Sequence, residues 1–393
     1  MNNNRLLMYY AAIGPELFPF ALDVDTATLR RQSAAMLPAN IQYAWPHPSR
    51  LLLYVVSSNG GPGVAGDRHF ANALAIERSS GSLRPHGRGA ALPSRPIHVS
   101  VDRRGKFLLT AYNNPSSVTV HQLNDDGTIG APVPQPATLD TGIYAHQILA
   151  APSNDIAFLV TRGNDAKSDH AEDPGAIKTF TFHDGVLGNL ASIAPGGGFR
   201  GGLGFGPRHL DFHPGKPWVF VSIERQNQLY VYQLDTDTGL KREPLFVKNT
   251  LANPPRMRQA AGAIHVHPSG RFVYLTNRAS DLARFDDKPA IIGGQNDIAA
   301  FSIDQKTGEP TLVQNADGHS VELRTFAIDP SGRILVAASV AAAPVAEGNR
   351  IVSVPAGLSV FAIAADGRLS FARKYDIDTG NQRQFWTGMV TLS

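Results

Sequence analysis

Runs of near-continuous apolar residues, each entered through a short polar turn, set the rhythm of this chain. His47-Pro48-Ser49-Arg50 precedes LLLYVVSS, Asp102-Arg103-Arg104-Gly105 precedes KFLLTAYN, and Pro152-Ser153-Asn154-Asp155 precedes IAFLVTR. His213-Pro214-Gly215-Lys216 then introduces PWVFVSIE, His267-Pro268-Ser269-Gly270 introduces RFVYLTNR, and Asp329-Pro330-Ser331-Gly332 introduces RILVAAS. An apolar run of this length bounded by turn residues reads as a strand buried on both faces. The spacing of about 45 to 60 residues marks one supersecondary unit used repeatedly.

Between these runs lies a second recurring phrase, an apolar–polar alternation carrying an Asp- or Gly-containing turn. It reads ALDVDTATL, AIERSSGSL, QLNDDGTIG, FTFHDGVLG, YQLDTDTGL, FSIDQKTGE and FAIAADGRL. Asp and Gly suit hairpins because they tolerate positive φ or bond their own backbone. Each unit is therefore a four-stranded antiparallel sheet, and seven of them set radially make an all-β, seven-bladed β-propeller. In the fifth unit the strands fall at 208–213, 218–224, 228–234 and near 244–248. The ends of the chain complement each other. LLMYYAAIG near the start is a second strand without an inner strand, and FWTGMVTL near the end is an inner strand without a second. Pairing them closes the ring and removes two exposed edges. The repeat argues for one domain over residues 1–393, where length alone would suggest two or three.

Composition narrows the function. Net charge is +3 with no long basic run, which argues against nucleic-acid binding. Cysteine is absent, which removes disulfides, thiolate nucleophiles and cysteine zinc sites. No apolar stretch of about 20 residues suggests a membrane span. The N-terminal segment lacks a small-residue cleavage site, so Leu6–Ile13 reads as a strand and the protein as cytoplasmic. Walker, Rossmann, zinc-helix and nucleophile-elbow motifs are missing. The glycine-rich run at 196–206 reads as a flexible loop between blades, and the Ala/Val/Pro-rich stretch at 341–355 as another loop.

Candidate chemistry follows from topology. In an antiparallel sheet the start of one strand and the end of the next share a rim. Aligning the units places Gln42, Ile97, His146, Arg208, Gly262 and Arg324 in an inner-strand ring at one mouth of the channel. Ser58, Asn113, Arg162, Glu224, Arg278 and Val340 form the ring at the ends of the second strands. His146, Arg208, Glu224 and Arg278 fall on three consecutive blades, with Arg162 and Asn113 beside them. Clustered guanidiniums suit a carboxylate, a phosphate or a developing oxyanion. A neutral histidine can serve as a base. His47, His213 and His267 recur at the turns and read as structural.

The phrases GPRHLDFHPGKPWVFVSIERQNQLYVYQLD and AIHVHPSGRFVYLTNR resemble the seven-bladed propeller lactonases, a group spanning 6-phosphogluconolactonases and carboxymuconate lactonizing enzymes. The resemblance covers nearly the whole chain. It implies a site of His146, Arg208, Glu224 and Arg278, the cluster that the rim alignment selects; Asn113, Arg162, Asn277 and Arg324, beside that cluster, read as substrate-binding residues. Departures are Arg162, at a position usually uncharged, and apparent insertions at 167–174 and 285–295. The implied activity is metal-independent and cofactor-free hydrolysis of an anionic sugar-acid lactone, foremost 6-phosphogluconolactone. Three alternatives are a carboxymuconate lactonizing lyase, a calcium-dependent lactonase and a non-catalytic binding scaffold. Between His146 and Glu224 the sequence does not choose the base, and it gives no oligomeric state.

Overall fold

Each apolar run is the second strand of an antiparallel sheet in the computed structural model, which describes residues 6–197, 201–254, 258–279, 282–285 and 287–392. Seven such sheets form the blades of an all-β propeller. In blade I the order from the channel outward is Thr387–Leu392, Leu6–Ile13, Glu16–Asp23 and Thr28–Arg31, so the two ends of the chain share one sheet. Blade V runs Pro207–Phe212, Trp218–Ile223, Gln228–Asp235 and Phe246–Asn249, within two residues of the boundaries expected. Blades II, III, IV, VI and VII begin with the inner strands Asn40–Pro46, Pro96–Val101, Ala145–Ala150, Ala260–Val266 and Leu323–Ile328.

The second strands are apolar throughout because both faces are covered. In Leu6–Ile13, Leu7, Tyr9 and Ala11 pack against blade VII, whereas Met8, Tyr10 and Ala12 pack against blade II. The same division repeats around the ring, with one apolar cluster in each gap between neighbouring blades. The core is thus a closed circle of inter-blade layers.

Polar residues of the recurring phrase tie one blade to the next. The imidazoles of His47, His213 and His267 lie 3.2, 2.9 and 2.8 Å from the carbonyl oxygens of Gly105, Gly270 and Gly332 in the following turn. A side chain at Gly332 would collide with that ring, since its Cβ would lie 2.2 Å from His267 Nε2, and its φ is +74°. The hydroxyls of Tyr10, Tyr54 and Tyr274 donate to the carbonyls of Gly81, Gly127 and Gly367 in the next blade's outer hairpin. A buried hydroxyl and a buried carbonyl are satisfied together. These histidines serve the turns, as their recurrence suggests.

The stretch at 341–355 is not a loop. Ala343–Glu347 and Arg350–Val354 form a hairpin. The insertion at 285–295 likewise carries strand Lys288–Ala290, paired with Ala283–Phe285. The two hairpins join through Ile291 and Val345. Of the glycine-rich run, residues 198–200 lie outside the described residues. Its later part is tethered to blade IV, where Gly175 N donates to Gly202 O at 3.1 Å.

Candidate active site

Every inner strand except that of blade I begins with a β-bulge, and the bulge sets the site. Pairing skips Gln42, Ile97, His146, Arg208 and Arg324, and it skips Gly262 together with Ala263. These are the residues of the inner-strand ring. A bulged residue leaves the ladder and re-aims its side chain, here at the channel mouth. Glycine at 262 keeps space open, because a Cβ there would lie 2.1 Å from Thr276 Oγ1 and 3.3 Å from Arg278 Nε.

Glu224 is the centre of the cluster. It follows strand Trp218–Ile223 and is 8% exposed. Arg162 Nε donates to its Oε1 at 3.0 Å, and Arg278 Nη2 donates to Oε2 at 3.3 Å. Arg208 Nε pairs with Oε2 at 3.0 Å. Burial alone would raise the Glu224 pKa; Arg162, Arg278 and Arg208 outweigh it and hold the carboxyl at about 2. Burial and the neighbouring Arg278 and Arg324 pull Arg208 well down, yet a guanidinium this basic stays charged beside a carboxylate. In Arg324, burial first and Arg278 second lower the value to about 10. Arg162 is raised because Glu224 and Asp165 more than offset its burial.

His146 carries the opposite balance. Burial first, then Arg208, Arg324 and Arg162, push it well below 6.5, so its ring is neutral at pH 7. Among the described residues its Nδ1 has no hydrogen-bond partner, nor do Arg208 Nη1 and Arg278 Nε. The ring packs edge-on to His209 at 4.9 Å, and His209 in turn lies 6.2 Å from His98. The three histidines come from the inner strands of blades III, IV and V and so link neighbouring blades around the channel wall.

A cavity of about 310 Å³ is lined by Tyr144, His146, Arg162, Asn164, Asp165, Lys167, Arg208, Glu224, Arg278 and Arg324. Five cations there face two carboxylates, Asp165 and Glu224, so the cavity favours an anion. Behind it a pocket of about 20 Å³ shares His146, Arg208 and Arg324. The other half of the channel holds a larger cavity of about 740 Å³, bordered by Tyr43, Trp45, Trp386 and Phe326. Among the described residues its one carboxylate, Asp102, is committed to the turn amides of Lys106 and Phe107, whereas the smaller cavity holds the arginine cluster around Glu224.

Of the residues expected at the site, His146, Arg162, Arg208, Glu224, Arg278 and Arg324 come together. Asn277 does not. Its amide donates to Thr250 O and Asp297 Oδ1 at 2.9 and 2.6 Å, in a buried network facing away from Arg278. Asn113 stays at the start of a hairpin opposite Ser116 and lines neither pocket. Tyr144, Asn164, Asp165 and Lys167 were not anticipated. Tyr144 directly precedes the blade IV inner strand, and Arg162 Cζ stands 5.2 Å from the centre of its ring. Among the described residues, no three His, Asp or Glu side chains converge in a metal-holding group.

These ionisations make acid stability a test of the site. His98, held at about 3 by burial, and the buried His146 and His209 are neutral when folded but protonate near 6.5 when unfolded. Folded values below unfolded ones mean that stability falls as pH drops through 6.5, by about 1.4 kcal/mol per pH unit for each histidine. Glu224 adds a loss of about 3 kcal/mol between pH 4.5 and 2. Urea melts from pH 8 to 4 are expected to show the midpoint dropping from about pH 6.5 downward. A flat midpoint to pH 5 would contradict neutral burial of the three rings.

A family model described as "Lactonase, 7-bladed beta-propeller" matches residues 9–347. A 6-phosphogluconolactonase of Bacillus subtilis is 29% identical over 328 residues, covering 82% of this chain and 84% of that one. Another, from Pectobacterium carotovorum, is 27% identical over 252 residues, 63% of this chain and 65% of that one. Among solved structures, the Pseudomonas aeruginosa periplasmic gluconolactonase superposes with a TM-score of 0.74 at 19% identity, over 98% of this chain and all of that one.

Proposed function

The chain belongs to the lactonase family of seven-bladed β-propellers, and we propose that it hydrolyses an anionic sugar-acid lactone, foremost 6-phosphogluconolactone, without a metal. The observation that carries this reading is a neutral His146 beside buried guanidinium donors, Arg208 Nη1 and Arg278 Nε, that have no partner among the described residues. Such donors are ready for a charge that develops during reaction. The relatives' activity as 6-phosphogluconolactonases supports the choice of substrate. A phosphorylated substrate agrees with a cytoplasmic location.

His146 accepts a proton from water as the water oxygen attacks the lactone carbonyl carbon. The carbonyl electron pair moves to oxygen, and Arg208 and Arg278 hold the oxyanion. Collapse breaks the bond between carbonyl carbon and ring oxygen, and the imidazolium returns its proton to that leaving oxygen. The product is the open hydroxy acid, which ionises to its carboxylate. Glu224 serves as a positioning residue. Both its oxygens are engaged by guanidiniums, and a carboxylate with a pKa of about 2 is a weak base. Because the lactone is an activated ester, positioning with one base suffices.

The deciding experiment follows freshly prepared 6-phosphoglucono-δ-lactone, with and without EDTA. Turnover above the spontaneous rate that resists EDTA supports the reading. Turnover lost to EDTA would overturn the metal-free mechanism. No turnover would overturn the substrate, and a carboxylated muconate would then be assayed for lactone formation.

A further inference from the structure

Beside the reaction centre, three guanidiniums converge on one carboxylate of the chain itself. Asp165 Oδ2 accepts from Arg162 Nη2 at 2.7 Å and Arg258 Nη2 at 3.0 Å, and Oδ1 accepts from Arg225 Nε at 2.8 Å. Two of these donors are fixed and buried. The Arg162 and Arg225 side chains are each 11% exposed, against 39% for Asp165. Arg162 is held from behind by Glu224, and Arg225 by Glu172 Oε1 at 2.6 Å and Gly163 O at 3.1 Å. Asp165 itself rides outside any sheet, on the connection between strands Ile156–Thr161 and Ala176–His183. Against these two donors the movable member is the anion, with the more exposed Arg258 as the outermost third donor.

Asp165 also divides space. It lines the 310 Å³ reaction cavity and a neighbouring cavity of about 340 Å³ bordered by Glu172, Arg225, Arg258 and Gln259. Lys167 stands at the same mouth. The arrangement is a built oxyanion site, occupied by the protein's own carboxylate and adjoining the place where a lactone ring would sit.

We propose that Arg162, Arg225 and Arg258 form the subsite for the anionic tail of the substrate, a phosphate monoester or carboxylate, and that Asp165 is a resident counter-anion which the tail displaces. The exchange keeps the charge of the cluster nearly constant, so guanidiniums are never left unpaired. It also makes Asp165 a specificity residue. A neutral sugar lactone has nothing to exchange and leaves Asp165 in place, whereas an anionic tail competes for the same donors. This inference rests on the lactonase reading for its biological meaning, but the binding chemistry stands apart from turnover.

The test is calorimetric titration of the whole protein with inorganic phosphate, and separately with acetate, for wild type, Asp165→Asn, Asp165→Ala and Glu172→Gln. Removing the resident anion is expected to tighten binding of phosphate by about tenfold or more. If acetate tightens equally, a carboxylate tail is the natural occupant; if phosphate alone does, the tail is a phosphate. Glu172→Gln removes a nearby charge without freeing the three-way site, and its expected effect is under about threefold. Equal tightening by Asp165→Asn and Glu172→Gln would overturn the proposal, leaving only general electrostatics. Unchanged binding in both Asp165 variants would overturn it too. Thermal melts confirm that the variants fold, and Arg258→Ala offers a second route, with phosphate affinity expected to fall in the Asp165→Asn background. With an active enzyme, Asp165→Asn should lower KM for the phosphorylated lactone relative to KM for glucono-δ-lactone, and an equal change in both would overturn the proposal. If neither lactone is hydrolysed, the proposed function fails while the titration still decides this site.

Discussion

Arg208→Ala is expected to lower kcat/KM by about a thousandfold, roughly 4 kcal/mol of transition-state stabilisation. Arg208 is 2% exposed, stands at the bulge that opens the blade V inner strand, and lines both the reaction cavity and the pocket behind it. Its Nε is spent on Glu224, but its Nη1 has no partner among the described residues. A donor buried without a partner costs stability, so its retention points to a partner that arrives during turnover. The loss should fall on kcat more than on KM, because the oxyanion exists only after attack. Arg208→Lys should recover little, since an ammonium on a flexible stem cannot keep the Glu224 pair while presenting a second, fixed donor. Steady-state kinetics against the spontaneous rate, with a thermal melt to confirm folding, measure this. An alanine enzyme that is folded and as fast as wild type would remove Arg208 from the chemistry.

The propeller was legible because its unit is periodic. Turn, apolar run and hairpin recur in register, and the closure of the ring follows from two half-blades at the chain ends. The inner-strand ring was legible for a related reason. The bulge recurs at the same place in successive blades, so a gap-free alignment lands on Gln42, Ile97, His146, Arg208 and Arg324 without any knowledge that bulges exist. Asn277 shows where adjacency misleads. It neighbours Arg278 in sequence, but successive strand residues face opposite sides, so it joins Thr250 and Asp297 instead. Asp165, Glu172, Arg225 and Arg258 left no signal that alignment could find. They lie in or beside connecting loops and meet only because ion pairs span 53 to 93 residues of chain. The hairpin at 343–354 was missed because a run of Ala, Val and Pro lacks the polar alternation that marks the other hairpins.

His146 and Glu224 can be told apart by the form of their losses. His146→Ala is expected to lower kcat by about a hundredfold to a thousandfold and to erase the acid limb of the pH profile, because the titrating base is gone. Glu224→Gln should also cost about a hundredfold, by a different route. It removes the charge that Arg162, Arg208 and Arg278 share, leaving three buried cations to repel one another. It should destabilise the protein above pH 4.5 and leave the acid limb in place. The position of that limb carries further information. In the free enzyme His146 is pushed well below 6.5 by burial and by Arg208, Arg324 and Arg162, so the limb of kcat/KM should lie well below pH 6.5. A bound anionic substrate offsets those cations, which raises the imidazole's proton affinity in the complex. The limb of kcat should therefore sit at higher pH than the limb of kcat/KM. Coincident limbs, or an acid limb that survives in His146→Ala and vanishes in Glu224→Gln, would transfer the role of base to the carboxylate.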